Sequence, residues 1–200
     1  MTYFKSVLIV FIGYIIGSIP WALIVGKVFY GVDIRKHGSG NLGGTNALRT
    51  LGKIPGIAVM LLDALKAFIY MVVVNVIDSS IIQYAGLAVC VGHCFPIFAN
   101  FKGGKAVACS CGYILALNIL IEHKTIYTFI IPGIIWLITL LSTRYMSLAS
   151  ILGLLSSSIL GFIFYQNKTN AILVLILSAF VIYMHRANIK RLLNKTENKL

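Results

Sequence analysis

Apolar residues run along this chain in long blocks, separated by short gaps that are polar, glycine-rich or basic. Seven blocks stand out, at residues 4–29, 54–77, 81–99, 105–121, 125–143, 146–165 and 171–184. A helix needs about 20 apolar residues to cross a bilayer, and the blocks approach that length, the fourth and last being short. No repeat of fixed period, low-complexity tail or interdomain linker interrupts them. The pattern predicts an all-α polytopic membrane protein with seven transmembrane helices in a single domain, residues 1–200. Composition agrees, with 59% hydrophobic residues, 11% charged and a mean hydropathy of +0.94. A soluble domain carries about a quarter of its residues charged.

The net charge of +12 would suggest nucleic acid in a soluble protein. Here the basic residues fall between the apolar blocks, so membrane orientation explains them first and no nucleic-acid partner is expected. One set of gaps holds twelve of them: Arg35, Lys36, Arg49, Lys53, Lys102, Lys105, Arg144, Arg186, Lys190, Arg191, Lys195 and Lys199. The alternate set holds only three: Lys5, Lys124 and Lys168. The positive-inside rule then places the N-terminus outside and the C-terminus in the cytoplasm. The first apolar block is too long for a signal-peptide core and no clear A-x-A site follows it, which predicts a retained first helix. The outer loops are very short, so chemistry is expected on the cytoplasmic face.

Three cytoplasmic segments carry candidate chemistry. In "HGSGNLGGTNALR", residues 37–49, the stretch Gly38 to Gly43 matches G-x-G-x-x-G. That pattern denotes dinucleotide binding only between a strand and a helix, and no Gly-Lys-Ser/Thr closes a Walker loop. Its physical content survives: glycines let backbone N–H groups converge on an anion, and Ser39, Asn41, Thr45 and Asn46 add uncharged donors. Arg49 is placed to meet a phosphate. The competing reading is a flexible turn. In "GHCFPIFANFKGGKAVA", Gly103 and Gly104 form a turn between Lys102 and Lys105 where a helix begins, a position suited to anions. The competing readings are membrane-face anchoring for the lysines and a structural role for His93. In "MHRANIKRLLNKTENKL", His185, Asn188 and Arg191 share a helix face by threefold spacing. A solvated basic tail explains its lysines but not that histidine and asparagine.

Asp63 and Lys66, three apart in an apolar block, are expected to form an internal ion pair. Ser147 is placed either to donate to a phosphate or to satisfy a helix end. Cys90, Cys94, Cys109 and Cys111 form no CxxC and read as small helix residues. The five acidic residues, Asp33, Asp63, Asp78, Glu122 and Glu197, offer no Mg²⁺ cluster. H-x-x-x-x-D and G-x-S-x-G motifs are missing. A metal-free anion site without cofactor is therefore expected.

Together "GSGNLGGTNALR", "GHCFPIF…KGGKAVAC" and "HRANIKRLL" resemble, in order and spacing, the motifs of the bacterial acyl-phosphate:glycerol-3-phosphate acyltransferases, the PlsY family. Departures are Gly44 for alanine, Ala106 for glycine and Cys109 for threonine. The resemblance implies seven helices and acyl transfer from acyl phosphate to the 1-hydroxyl of glycerol 3-phosphate, giving lysophosphatidic acid and phosphate. This would be the first step of phospholipid biosynthesis, in a bacterial inner or plasma membrane. Ser39, Asn41, Thr45, Asn46, Arg49, Gly103, Gly104 and Lys105 would hold phosphates, with His185, Asn188 and Ser147 completing the site. Among these, His185, Asn188, Lys105 and Arg49 are the expected catalytic residues. Expected partners are acyl phosphate, glycerol 3-phosphate, membrane lipids and, functionally, the enzyme that makes acyl phosphate. The chemistry is coherent: acyl phosphate is already activated, and cations with backbone donors offset repulsion between two anionic substrates. His185 and a donor phosphate oxygen are the alternative bases. A transporter for organophosphate anions is the rival, but transporter sites lie near the midplane between repeats, and neither feature is seen.

Overall fold

The computed structural model describes residues 2–200, which are helical with short connections. Ten α-helices follow in order: α1 (Thr2–Gly17), α2 (Trp21–Tyr30), α3 (Gly44–Leu51), α4 (Lys53–Asp78), α5 (Ile82–Cys94), α6 (Val107–Leu117), α7 (Ile131–Thr143), α8 (Met146–Phe164), α9 (Lys168–Met184) and α10 (Arg186–Leu193). They gather into two compact units, one ending at Ala116 and the other running from Leu117 to Leu200.

Polarity is distributed as a bilayer demands. Phe4, Val7 and Phe11 of α1, Ile138 and Leu141 of α7 and Ile163 of α8 are exposed, while Asp63, Lys66, Ser157 and Ser158 are buried. By length and composition four helical stretches can cross a membrane: Tyr3–Tyr30, Lys53–Ala99, Ile126–Thr143 and Met146–Phe164. A fifth qualifies if α9 and α10, bent by 60° at His185, count as one span. Lys53–Ala99, at 47 residues, exceeds what one crossing needs and is interrupted by the turn Ser79–Ile81.

In the first unit, the first apolar block is broken rather than continuous. Pro20 cannot continue the backbone ladder, and Ser18 Oγ donates to Tyr14 O at 2.8 Å. The break leaves Gly17 and Ile19 carbonyls for another partner. Helices α1 and α5 run parallel and very close. A Cβ on Gly13 would meet Ala85 O at 2.8 Å, one on Gly17 would meet the Val89 carbonyl, and one on Gly92 would meet Tyr14 O. Lipid supplies no hydrophobic drive for helix pairing, so backbone contact allowed by small residues takes its place. Gly112 brings α6 equally close to Ala64 of α4.

The second unit is tied by polar groups. Thr128 Oγ1 donates to Asn118 Oδ1 at 2.7 Å, and Asn118 Nδ2 donates to Tyr165 OH at 3.0 Å. Asn170 Nδ2 donates to Glu122 Oε1 at 2.7 Å, and Ser158 shares a 2.6 Å bond with Ser178. Two π-helical turns, Asn118–Glu122 and Ile126–Ile130, flank His123, whose φ of 54° reverses the chain.

The glycine contacts predict that Gly17→Val forces α1 from α5. Overpacking costs about 1–3 kcal/mol, so the detergent melting temperature should fall by several degrees, at about 2–4 °C per kcal/mol. Gly133, where an added Cβ would meet nothing within 4 Å, is the control. Thermal unfolding of Gly17→Val and Gly133→Val compares them directly. Equal shifts would contradict the packing account.

Candidate active site

The first glycine loop is a built structure. Asp33 caps the turn Ile34–Lys36, and Arg35 bonds to its carboxylate at 2.9 and 2.6 Å. The Arg35 hydrogen bond holds the Asp33 carboxyl well below the usual range, against a small burial penalty. Gly38 and Gly40 follow with φ of 57° and 70°, where an L side chain is strained. Leu42, inside the glycine run, is 2% exposed and packs with Ala22, Val25, Ile34, Ala47, Val59 and Ala99. It anchors the loop to α2 and α4.

Asn46 has a different part from that expected. Its Oδ1 accepts from Ser39 N at 2.9 Å, and its Nδ2 donates to Ile34 O (3.0 Å), His37 O (3.2 Å) and Asn41 O (3.1 Å). The side chain is buried and turned into the loop, so Asn46 shapes the cradle. Ser39 and Arg49 are exposed, and Asn41 and Thr45 are half-buried.

The Lys102–Lys105 turn lies beside this loop. A Cβ on Gly43 would stand 4.0 Å from Gly104 Cα, so the two glycine segments meet at a pair of glycines. Gly103 N donates to Cys94 O and Gly104 N to His93 O, both at 3.1 Å. Neither glycine tolerates a side chain: a Cβ on Gly103 would meet His93 O, and one on Gly104 would meet His93 Nε2. The first unit thus brings Ser39, Asn41, Thr45, Arg49, Gly103, Gly104 and Lys105 into adjacent segments, as α3 begins at Gly44 and α6 at Val107.

Asn100, Phe101 and Ala106 around this turn all have positive φ, of 53°, 57° and 59°. Asparagine tolerates that region, while phenylalanine and alanine are strained there. A glycine at position 106 would adopt that conformation without strain. Gly44 has the converse explanation: a Cβ there would meet the Met60 side chain, so the glycine accommodates Met60.

Behind the turn, Asp63 and Lys66 form the expected ion pair at 2.8 Å, and His93 joins it with Nδ1 3.2 Å from Asp63 Oδ1. Lys66 Nζ also donates to Gly17 O at 2.9 Å and Ile19 O at 3.0 Å, the carbonyls released by the α1 break. Cys109 Sγ lies 3.1 Å from Asp63 O. Donor atoms of Asp63, His93 and Cys109 fall within 4.8 Å of one another, a grouping that spacing along the chain conceals. The cation present among them is the Lys66 ammonium, 3.1 Å from His93 Nδ1.

The second unit holds the remaining expected residues. His185 ends α9, with Nδ1 2.8 Å from Val181 O. A carbonyl only accepts, so Nδ1 carries the proton and a neutral ring presents its lone pair on Nε2. Ser147 and Asn188 are buried, and both donate to Glu197 Oε1, at 2.9 and 2.6 Å. Arg191 Nε donates to Glu197 Oε2 at 2.6 Å. The tail is therefore folded back at Glu197, while its Lys190, Lys195 and Lys199 stay exposed as a solvated basic tail requires. Lys195 turns it with a φ of 58°, Leu200 N donates to Arg144 O at 2.9 Å, and Lys199 lies 5.5 Å from the Tyr145 ring. Glu197 is the residue sequence reasoning passed over. Its signal was a lone carboxylate in a basic tail, nine residues beyond Asn188.

Two outcomes follow. Ala106→Gly relieves a left-handed alanine and should stabilise the protein by roughly 1 kcal/mol, raising the melting temperature by about 2–4 °C. An unchanged or lower value would contradict the strain. Burial raises the Glu197 pKa, but hydrogen bonds from Asn188, Arg191 and Ser147 outweigh it, leaving the pKa below the ordinary value. The folded pKa is depressed, so its contribution is complete above about pH 4.3 and fades as pH falls through the folded value. Glu197→Gln should cost roughly 1–2 kcal/mol at pH 7, a gap that thermal unfolding should find narrowing at lower pH. A gap independent of pH would contradict it.

Comparison with known proteins identifies the family. The family described as glycerol-3-phosphate acyltransferase matches residues 7–195. A glycerol-3-phosphate acyltransferase of Bacillus cytotoxicus is 42% identical over 198 residues, covering 98% of this chain and 96% of the relative. Glycerol-3-phosphate acyltransferase 3 of Bacillus anthracis is 44% identical over 197 residues, covering 96% and 93%. The crystal structure of PlsY (YgiH), an integral membrane glycerol 3-phosphate acyltransferase, in its glycerol 3-phosphate form, aligns with a TM-score of 0.86. It is 36% identical, with 98% of this chain and 96% of that one covered. The same enzyme's lysophosphatidic acid form aligns with a TM-score of 0.86 at 35% identity. Glycine loops, basic residues and apolar helices thus occur in a chain matched from end to end, and it belongs to the glycerol-3-phosphate acyltransferase family.

Proposed function

We propose that this protein transfers an acyl group from acyl phosphate to the 1-hydroxyl of glycerol 3-phosphate. The products are lysophosphatidic acid and inorganic phosphate. The observation that carries the reading is the meeting of the two glycine segments at Gly43 and Gly104, with Arg49 and Lys105 on the same segments. A phosphate needs donors and a positive field. The Gly103 and Gly104 amides already donate to Cys94 O and His93 O, so these glycines supply room while Arg49 and Lys105 supply charge. The relatives' names support glycerol 3-phosphate as acceptor, and the solved relative's two forms support it as substrate with lysophosphatidic acid as product.

In the proposed step the glycerol hydroxyl oxygen attacks the acyl carbonyl carbon. The new ester C–O bond forms, the C–O bond to phosphate breaks, and phosphate leaves with the bonding pair. The hydroxyl proton passes either to His185 Nε2, whose lone pair the Nδ1 bond to Val181 O orients, or to a phosphate oxygen of the donor. Because the donor is a mixed anhydride, no covalent enzyme intermediate is needed. Holding both substrates in place can supply roughly 7–11 kcal/mol of the barrier in ideal cases. Arg49 and Lys105 offset the repulsion between the two anions. Ser39, Asn41 and Thr45 add donors, Asn46 holds the cradle, and Ser147 and Asn188 serve the same reaction. The proposal includes one domain of seven crossings, N-terminus outside, with the chemistry at the cytoplasmic face of a bacterial inner or plasma membrane. A functional link to the enzyme that makes acyl phosphate follows from the donor.

Purified protein given acyl phosphate and glycerol 3-phosphate, without CoA or added metal, should form lysophosphatidic acid. Arg49→Ala and Lys105→Ala should each lose at least about 90% of kcat/KM, the loss of one phosphate contact of roughly 1.4–3 kcal/mol. Lys199→Ala should change it little. No product, or product only from acyl-CoA, would overturn the donor assignment. Near-normal turnover in both cation variants would overturn the cradle.

A further inference from the structure

We infer that Asp63, Lys66 and His93 are positioning residues that hold the Lys102–Lys105 glycine turn in its working place, acting through the His93 imidazole. This rests on the reading that the turn receives a substrate phosphate.

The argument begins with the turn, which cannot hold itself. Phe101 and Ala106, on either side of it, are in the left-handed region. Strained backbone persists only where its surroundings over-determine it. The two glycines in between are fixed by the last turn of α5: Gly103 N on Cys94 O, Gly104 N on His93 O, and Gly104 Cα against the His93 ring. One residue, His93, therefore provides both a carbonyl and a side-chain wall.

The ring's own orientation comes from the ion pair. Lys66 Nζ donates to Gly17 O at 2.9 Å and Ile19 O at 3.0 Å, and lies 2.8 Å from Asp63 Oδ1 and 3.1 Å from His93 Nδ1. His93 Nδ1 lies 3.2 Å from Asp63 Oδ1, so the ring nitrogen sits between the ammonium and the carboxylate. Those contacts fix the ring plane and put Nε2 on the Gly104 side. Asp63 orients the ring, Lys66 holds Asp63, and the broken end of α1 holds Lys66. Three segments far apart in sequence thus converge on one glycine turn. Helix packing alone does not require this. A buried ion pair is often replaceable by apolar residues of similar volume without loss of stability. Retaining two charges among apolar helices is explained by what they orient.

The test separates position from stability. Asp63→Leu/Lys66→Met removes both charges together and should fold with a detergent melting temperature near wild type. Steady-state kinetics for both substrates should show KM raised about tenfold or more for one of them, with kcat changed less than about threefold. Such a split is the signature of lost ground-state and transition-state binding alike. In ¹⁵N-glycine spectra the Gly103 and Gly104 amide signals should shift or broaden, while that of Gly133 stays. His93→Phe, uncharged and similar in shape, is the second variant and should give the same kinetic split. A folded variant of either kind with wild-type KM and unmoved Gly103 and Gly104 signals would overturn the inference. If wild type forms no lysophosphatidic acid, the functional reading has failed, and the amide signals decide the positioning claim separately.

Discussion

A lysine ammonium buried among apolar helices constrains the architecture of the first unit. Charge cannot remain in such surroundings without partners, and Lys66 draws its partners from three places. Asp63 lies one turn away on its own helix, His93 on α5, and the carbonyls of Gly17 and Ile19 on the broken end of α1. Those carbonyls are available because Pro20 interrupts the first apolar block. The proline, the broken helix and the buried lysine are one feature seen from three sides. Parallel packing of α1 on α5, with backbones touching at Gly13, Gly17 and Gly92, places the lysine's acceptors close to His93.

Glycine does two separate jobs in this chain. At Gly17, Gly92 and Gly112 it lets helices approach to backbone contact where lipid offers no hydrophobic drive. At Gly38, Gly40, Gly103 and Gly104 it opens the backbone of two loops. The first pair has positive φ, and the second pair has no room for a side chain. Two further positions follow the same physics. Gly44 makes space for Met60, and Ala106 accepts a left-handed conformation at an energetic cost. The first glycine loop is therefore shaped by packing as much as by its own donors, as the inward-turned Asn46 illustrates.

Much of this was legible in the sequence because it depends on local pattern. The apolar blocks mark helices, and the Asp63–Lys66 spacing of three marks an ion pair. The glycine segments mark loops, and three motifs in order mark the family. What was hidden depends on contacts between distant segments. His93 lies 30 residues from Asp63, so nothing in "GHCFPIF" announces that its ring joins the ion pair. Asn46 looked like one more donor, and only the loop's fold turns it inward. The basic tail suggested solvent, yet Glu197 draws it back through Ser147, Asn188 and Arg191. Two of those three had been expected to serve substrate directly, and here they first satisfy a carboxylate. The first helix break also escaped the pattern, because hydropathy continues across Ser18–Pro20.

In this account the reaction asks for no covalent intermediate, only for anions gathered against their repulsion. The central claim is that the two glycine segments hold a substrate phosphate together. Hydrogen–deuterium exchange with and without saturating glycerol 3-phosphate tests it most directly. Slowed exchange in both residues 37–49 and residues 101–106, with Ile126–Ile130 unchanged, is the predicted result. Binding that leaves both segments exchanging at their original rates would contradict the account.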